Sequence, residues 1–273
     1  MNDANVPGLP QDLKDIATKL IAYGYTLEKD AGGIWTVHLP AGDRSGFSRV
    51  AFQQPELGQG LLRMLRREEE MRDVLHRYEQ NDARWKTKVY GSARNDTTIG
   101  EAGCGPTSLA MVLQYLMNNG SRPRYACFAV SPPQTAAYAA MHGRVSGRGT
   151  DANKMIMGIK EKWPEFAGTK VSFTEAAQLV GEGRLVIFLS HGCSGYSFRQ
   201  PLHRAPDVHY AGHYMILAGV EGPVGPDQIF YVVDGGRRAE RSMRFIRQSE
   251  LQRHAAGFWW VYRRGEPAER SSQ

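Results

Sequence analysis

An α+β fold is predicted for this chain of 273 residues, with helices early and antiparallel strands late. Two observations carry that prediction. After Gly103-Cys104-Gly105-Pro106, the residues Leu109, Val112, Leu113, Leu116 and Met117 recur at i, i+3, i+4, i+7 and i+8, one face of a helix. Further on, the runs 185–190, 214–220, 229–234 and 258–262 are short, apolar and separated by polar or turn-rich stretches, as buried strands are. Helices first and antiparallel strands afterwards describe an α+β domain rather than alternating βα units.

The elements follow in order. Leu13, Ile16, Ala17, Leu20 and Ile21 make an apolar stripe over 11–23, and Gly24 ends that helix. Strand-like runs at 33–39 and 47–52 flank the turn residues Pro40-Ala41-Gly42-Asp43. Residues 1–56 therefore read as a small α+β appendage. A charged helix is expected over 57–79, with a thin seam of Leu61, Leu62, Leu65 and Val74. Its Arg66, Arg67, Glu68, Glu69 and Glu70 point to a solvated connector or partner-facing helix. Residues 80–265 form the main domain. It holds a Gly/Thr/Asn loop at 91–100, the Cys104 helix, helices at 134–141 and 151–160, a strand at 170–173, a helix at 174–180 and the late strands. Residues 266–273 read as a disordered tail.

Composition narrows the class. Hydrophobic residues make up 41% and charged residues 23%, ordinary for a globular domain. No run approaches the roughly 18 apolar residues of a membrane helix. The first residues, MNDANVPGLPQDLKD, contain no apolar core of a secretory signal, so a cytoplasmic protein is the default expectation. Delivery by a dedicated secretion machine would leave the same trace. Three widely spaced cysteines form no paired framework and fit a reducing compartment. The net charge of +6 gathers at Arg237, Arg238, Arg241, Arg244, Arg247, Arg263 and Arg264. No nucleic-acid motif accompanies it, so it reads as a solvated face or a match to an anionic substrate.

Chemistry enters at Cys104. Pro106 suits the first position of a helix, which places the cysteine about two residues ahead of it. Unpaired N–H groups and the positive helix end there favour thiolate over thiol, and thiolate is the nucleophilic form. A thiolate nucleophile needs a proton shuttle, and histidine titrates near neutrality. Of the eight histidines, His213 opens the apolar run 214–220. The run 229–234 ends in Asp234 before Gly235-Gly236. If Val220 pairs with Ile229, Asp234 falls opposite Met215 and shares a face with His213. Diagonal neighbours on one face are about 7–8 Å apart at the backbone, within reach of a carboxylate and an imidazole. A slip of one residue would send Asp234 to the other face.

These motifs resemble the papain-like cysteine peptidases, in the branch related to the leader peptidases of bacteriocin exporters. The likeness rests on Gly-Cys-Gly-Pro-Thr-Ser-Leu-Ala-Met-Val-Leu, Gly-Thr before a helix, Gly-His-Tyr-Met-Ile-Leu-Ala-Gly-Val and Tyr-Val-Val-Asp-Gly, and covers about 80–262. It implies a helix carrying the cysteine, packed on an antiparallel sheet carrying histidine and aspartate. It also implies Cys104 as nucleophile, His213 as general base and acid, and Asp234 as the group orienting the histidine. The run Gln80-Asn81-Asp82-x-Arg84-Trp85 is similar to the family's glutamine motif and makes Gln80 an oxyanion donor, at a longer spacing from the cysteine than in compact members. Residues 1–79 have no counterpart in the resemblance.

The implied reaction is hydrolysis of a peptide bond through a thioester, with no cofactor and no metal. An amidase on cell-wall peptide, a deamidase or a transpeptidase would use the same triad, in a bacterial enzyme kept inside or exported as an effector. Cys127 and Cys193 compete as nucleophiles. His191, Cys193, His203, His209 and His213 fall in one stretch that zinc could use, although their spacing matches no standard pattern. A binding module with a vestigial triad is the remaining alternative, and the presence of all three groups argues against it.

Overall fold

The computed structural model describes residues 7–38, 49–91, 97–118, 130–145, 149–190, 212–236 and 243–265. Cys127, Cys193, His191, His203, His209, Arg237, Arg238, Arg241 and the tail 266–273 lie outside them. No helix among the described residues is long and apolar enough to cross a membrane.

A single turn, Gln11–Leu13, leads into α1 (Lys14–Ala22), which buries Ala17 and Leu20. Gly24, at φ 93°, stops it, since a residue with a Cβ rarely adopts that angle. Then come β1 (Thr26–Lys29), β2 (Trp35–His38) and β3 (Arg49–Phe52), an antiparallel sheet in that order. β1 buries only Leu27, so it offers no alternation to read from sequence. Of the expected strands 33–39 and 47–52, the first begins at Trp35 and the second is present over Arg49–Phe52, while residues 39, 47 and 48 lie outside the described residues.

The charged helix is α2 (Gln54–Val74), not 57–79, and it is not a solvated connector. Leu57, Leu61, Met64 and Leu65 are buried in one core shared with α1, the first sheet and the main domain. Each such side chain stabilises by about 1.5–3 kcal/mol relative to exposure. Glu68 lies on the buried face as well, 1% exposed. It accepts from Tyr25 Oη at 3.1 Å and pairs with Arg77 at 3.2 Å, which is how a buried carboxylate is tolerated.

The main domain contains α3 (Ile99–Ala102), α4 (Cys104–Met117) and α5 (Pro132–His142). The short pair β4 (Arg144–Val145) and β5 (Gly149–Thr150) leads to α6 (Ala152–Met157), capped by Asp151. Next are β6 (Phe166–Val171), α7 (Phe173–Gly181), β7 (Val186–Ser190), β8 (His213–Glu221) and β9 (Ile229–Val233). The chain closes with β10 (Met243–Arg247), α8 (Gln248–His254) and β11 (Ala255–Arg263). Among the described residues the large sheet has six strands, in the order β10-β9-β8-β7-β11-β6, and every neighbouring pair is antiparallel.

Both faces of this sheet are covered. Ile187, Ile216, Tyr231, Val233 and Val261 share a core with Leu109, Val112 and Leu113 of α4. Val186, Phe188, Met215, Leu217, Phe230 and Val232 pack with Ala176 and Val180 of α7 and Leu251 of α8. Burial on two faces explains why these strands read as continuous apolar runs rather than alternating ones.

Candidate active site

Residues 104–117 form one helix whose first three turns are buried on every side, Gly105 to Gln114. Cys104 is its first residue and Gly103 its cap, so the cysteine sits inside the helix start rather than ahead of it. The reason is α3, held by a capping box of Thr98 and Glu101, which runs into α4 through Gly103 alone. The Gly103 N–H donates to the Ile99 carbonyl at 2.8 Å. A Cβ on Gly103 would lie 2.5 Å from that carbonyl oxygen, so glycine is required there by close approach.

His213 opens β8, and its Nε2 lies 2.6 Å from Asp234 Oδ1. Asp234 is 1% exposed and the His213 side chain 12%. The same Oδ1 accepts the Gly236 N–H at 2.8 Å. A Cβ at Gly236 would stand 2.9 Å from His213 Cε1, so the second glycine of the turn lets the backbone lie against the imidazole.

The pairing of β8 with β9 departs from the expected one near the turn. Val220 faces Phe230 and Glu221 faces Ile229. A β-bulge between Leu217 and Gly219 then shifts the register, so that Leu217 faces Val232 and Ile216 faces Val233. One step further sets Asp234 across from Met215, as the sequence predicts, but through a bulge that the sequence does not announce. α4 packs on the opposite face, against Tyr214 and Ile216. His213 is the end residue of its strand, and its ring interacts there with Cys104 at the first turn of α4.

The electrostatics follow from that contact. Burial alone pushes the Cys104 thiol up. The His213 hydrogen bond and charge, with the Tyr214 and Gly105 N–H groups, outweigh burial and hold the thiol below its ordinary value. Burial likewise opposes a charged His213. The charge and hydrogen bond of Asp234, then the contact with Cys104, overcome it and raise the imidazole to about 10. Sulfur and imidazole titrate as one coupled pair, and both shifts favour thiolate with imidazolium.

Gln80 is buried between the two halves of this cluster. Its N–H donates to the Gly235 carbonyl at 2.6 Å, and its Nε2 donates to the Gly100 carbonyl at 2.9 Å. One residue thus ties the turn after Asp234 to the helix before Cys104. The neighbouring Asp82 and Arg84 form a forked ion pair, and Arg84 lies over Trp85, 4.5 Å from the ring centre.

Two contributors escaped sequence reading. The N–H groups of Gly105 and Tyr214 help to hold the Cys104 thiol below its ordinary value, and backbone donors leave no mark in a side-chain pattern. Tyr214 is itself fixed by donating to the Thr150 carbonyl at 2.7 Å, while Thr150 Oγ1 meets Tyr90 Oη at 2.5 Å. Of the residues considered for zinc, only His213 is among those described, and it is engaged with Asp234 and Cys104.

The profile of the Peptidase_C39 like family matches residues 75–262, most of the chain. No curated protein matches it.

Proposed function

The chain belongs to the Peptidase_C39 like family, and from that premise we propose that it hydrolyses peptide bonds through Cys104, His213 and Asp234. The observation that carries this reading is one continuous chain of contacts, from the Asp234 carboxylate through the His213 ring to the Cys104 sulfur. A buried carboxylate, an imidazole and a thiol at a helix start have the composition of an activated nucleophile with an oriented base.

In this mechanism the Cys104 thiolate attacks the substrate carbonyl carbon and a C–S bond forms. The carbonyl oxygen takes the negative charge. The Cys104 N–H at the open end of α4 donates to it, and the Gln80 amide is the side-chain donor. Gln80 spends one N–H on Gly100 and carries a second on the same nitrogen. As the tetrahedral centre collapses, the C–N bond breaks and His213 gives its proton to the leaving amine. A water then loses a proton to His213 and attacks the thioester. The C–S bond breaks, the acid product leaves, and the thiolate–imidazolium pair is restored. Asp234 holds the ring in one tautomer and stabilises the imidazolium throughout.

The sign of each pKa shift sets the pH profile. The competent form has a charged sulfur and a charged ring. It is lost at low pH, when the sulfur takes a proton below its depressed pKa. It is lost again as pH rises through about 10, when His213 gives up its proton. Hydrolysis rates measured from pH 4 to 11 on a peptide library should therefore show a plateau spanning neutrality, with an acid limb below the ordinary thiol range. A single alkaline rise centred on an unperturbed thiol would contradict the ion pair. Cleavage of cell-wall peptide fragments in place of linear peptides would move the substrate class to cell-wall amides.

A further inference from the structure

The bulge on β8 decides whether Asp234 can serve His213. Continued without a shift, the pairing of Glu221 with Ile229 would set Asp234 opposite Ile216. That position points to the other face of the sheet, away from His213. A bulge, however, leaves its extra residue without a ladder partner, and a buried carbonyl in that state needs another donor. Here the extra residue is Ala218, 1% exposed, and the donor is Arg67 of α2, whose Nη2 hydrogen bonds the Ala218 carbonyl.

The fit around Arg67 is close. A Cβ on Gly219 would fall inside the Arg67 guanidinium, so the glycine next to the bulge is the space the group occupies. The guanidinium carbon lies 5.8 Å from the centre of the Tyr231 ring, which faces Gly219 across the ladder. Tyr231 Oη donates to Glu221, and Glu221 pairs with Arg63, one turn before Arg67 on the same helix. Two arginines of α2 are thus fixed to both strands at the turn end of the hairpin. α2, residues Gln54–Val74, precedes the matched segment 75–262.

We propose that Arg67 is a positioning residue, supplied from outside the family segment, which holds the β8 bulge and thereby sets Asp234 against His213. The inference rests on the reading of His213 and Asp234 as base and orienting group. It gives the N-terminal part of the chain a role in turnover. If α2 leaves the sheet, the Ala218 carbonyl loses its donor, the register is free to slip, and the imidazolium loses its carboxylate.

The test uses Arg67→Met, Arg67→Lys and Gly219→Ala in the full chain. The Gly219→Ala methyl displaces only the flexible end of Arg67, so it removes the contact with helix charge unchanged. Arg67→Met and Gly219→Ala should each lower kcat about 10–100-fold with KM little changed, the scale of a small misplacement at a reacting centre. Both should move the alkaline limb of the pH profile down by about one unit, as when a hydrogen bond to a charged ring is weakened. The double variant should be no worse than either single one, because both remove one contact. Arg67→Lys, which keeps a donor and a charge, should recover part of the rate.

The His213 titration, followed by NMR of the imidazole, gives a readout independent of turnover. A fall in its pKa in both variants supports the proposal. An unchanged titration in both overturns it, whatever happens to the melting temperature, and so do single effects that multiply in the double variant. Were the unaltered protein to hydrolyse no peptide, the peptidase reading would fail while the His213 titration still decided the role of Arg67.

Discussion

Cys104→Ser is expected to lower kcat/KM on a peptide substrate by on the order of 10⁵-fold or more, the scale seen when the nucleophile of a triad is removed. Serine is nearly isosteric with cysteine, so the helix start and the Gly103 junction should persist. What changes is acidity. His213, the Tyr214 and Gly105 N–H groups and the end of α4 together lower the pKa of a thiol at this position. A hydroxyl begins far too high for the same contacts to ionise it. KM should change little, because the sulfur contributes to bond making rather than to holding the peptide. The comparison is kcat and KM for both proteins on one fluorogenic peptide, with circular dichroism to confirm the fold. A serine variant within about tenfold of the parent would place the nucleophile elsewhere, with Cys193 the first alternative.

The second large effect is expected for Asp234→Asn. The amide fills the same space and can still contact His213 Nε2, but it carries no charge. The charge of Asp234 is the largest influence raising His213, so the imidazolium loses its main support. An asparagine can also present its NH₂ to the ring and favour the wrong tautomer. Turnover should fall about 10²–10⁴-fold, toward the scale of the corresponding change in serine triads. The alkaline limb should move to lower pH along with it. Loss of rate without that movement would make Asp234 a structural residue of the turn, held by the Gly236 N–H.

Much of the cluster was legible because it is local. Gly103-Cys104-Gly105-Pro106 announces a helix start, and one buried helix begins there. The strand ending at Asp234 and the one opening at His213 obey the period of two, which places both residues on the face of Met215. The pairing near the turn was nevertheless one residue off, and only the bulge at Ala218 restored it. Bulges of this kind depend on what packs beside them. Here that is Arg67, more than a hundred residues earlier in the chain. A long-range side-chain contact to a carbonyl has no local signature.

The same reason explains the reading of α2. Its charges suggested a solvated face, yet Glu68 lies in the core because Tyr25 and Arg77 meet it there. Only Leu61 and Leu65 of the buried side chains belong to the seam expected from sequence; Leu57 and Met64 do not, and the neighbouring charges mask the meaning of the rest. β1 escaped because one buried side chain makes no pattern. β10 and α8 escaped because they fall where the arginines gave the segment a surface character. Gln80 came from family resemblance alone. Its hydrogen bonds to Gly235 and Gly100 now give it a structural role between the two halves of the cluster.

The central claim is that Cys104 carries a thiolate stabilised by His213, and alkylation reads it directly. The full chain is exposed briefly to iodoacetamide at pH 6, and the modified cysteines are identified by mass spectrometry. Cys104 should be labelled well ahead of Cys127 and Cys193, and His213→Ala should remove that preference. Equal labelling of the three cysteines, or a Cys104 preference that survives His213→Ala, would contradict the ion pair.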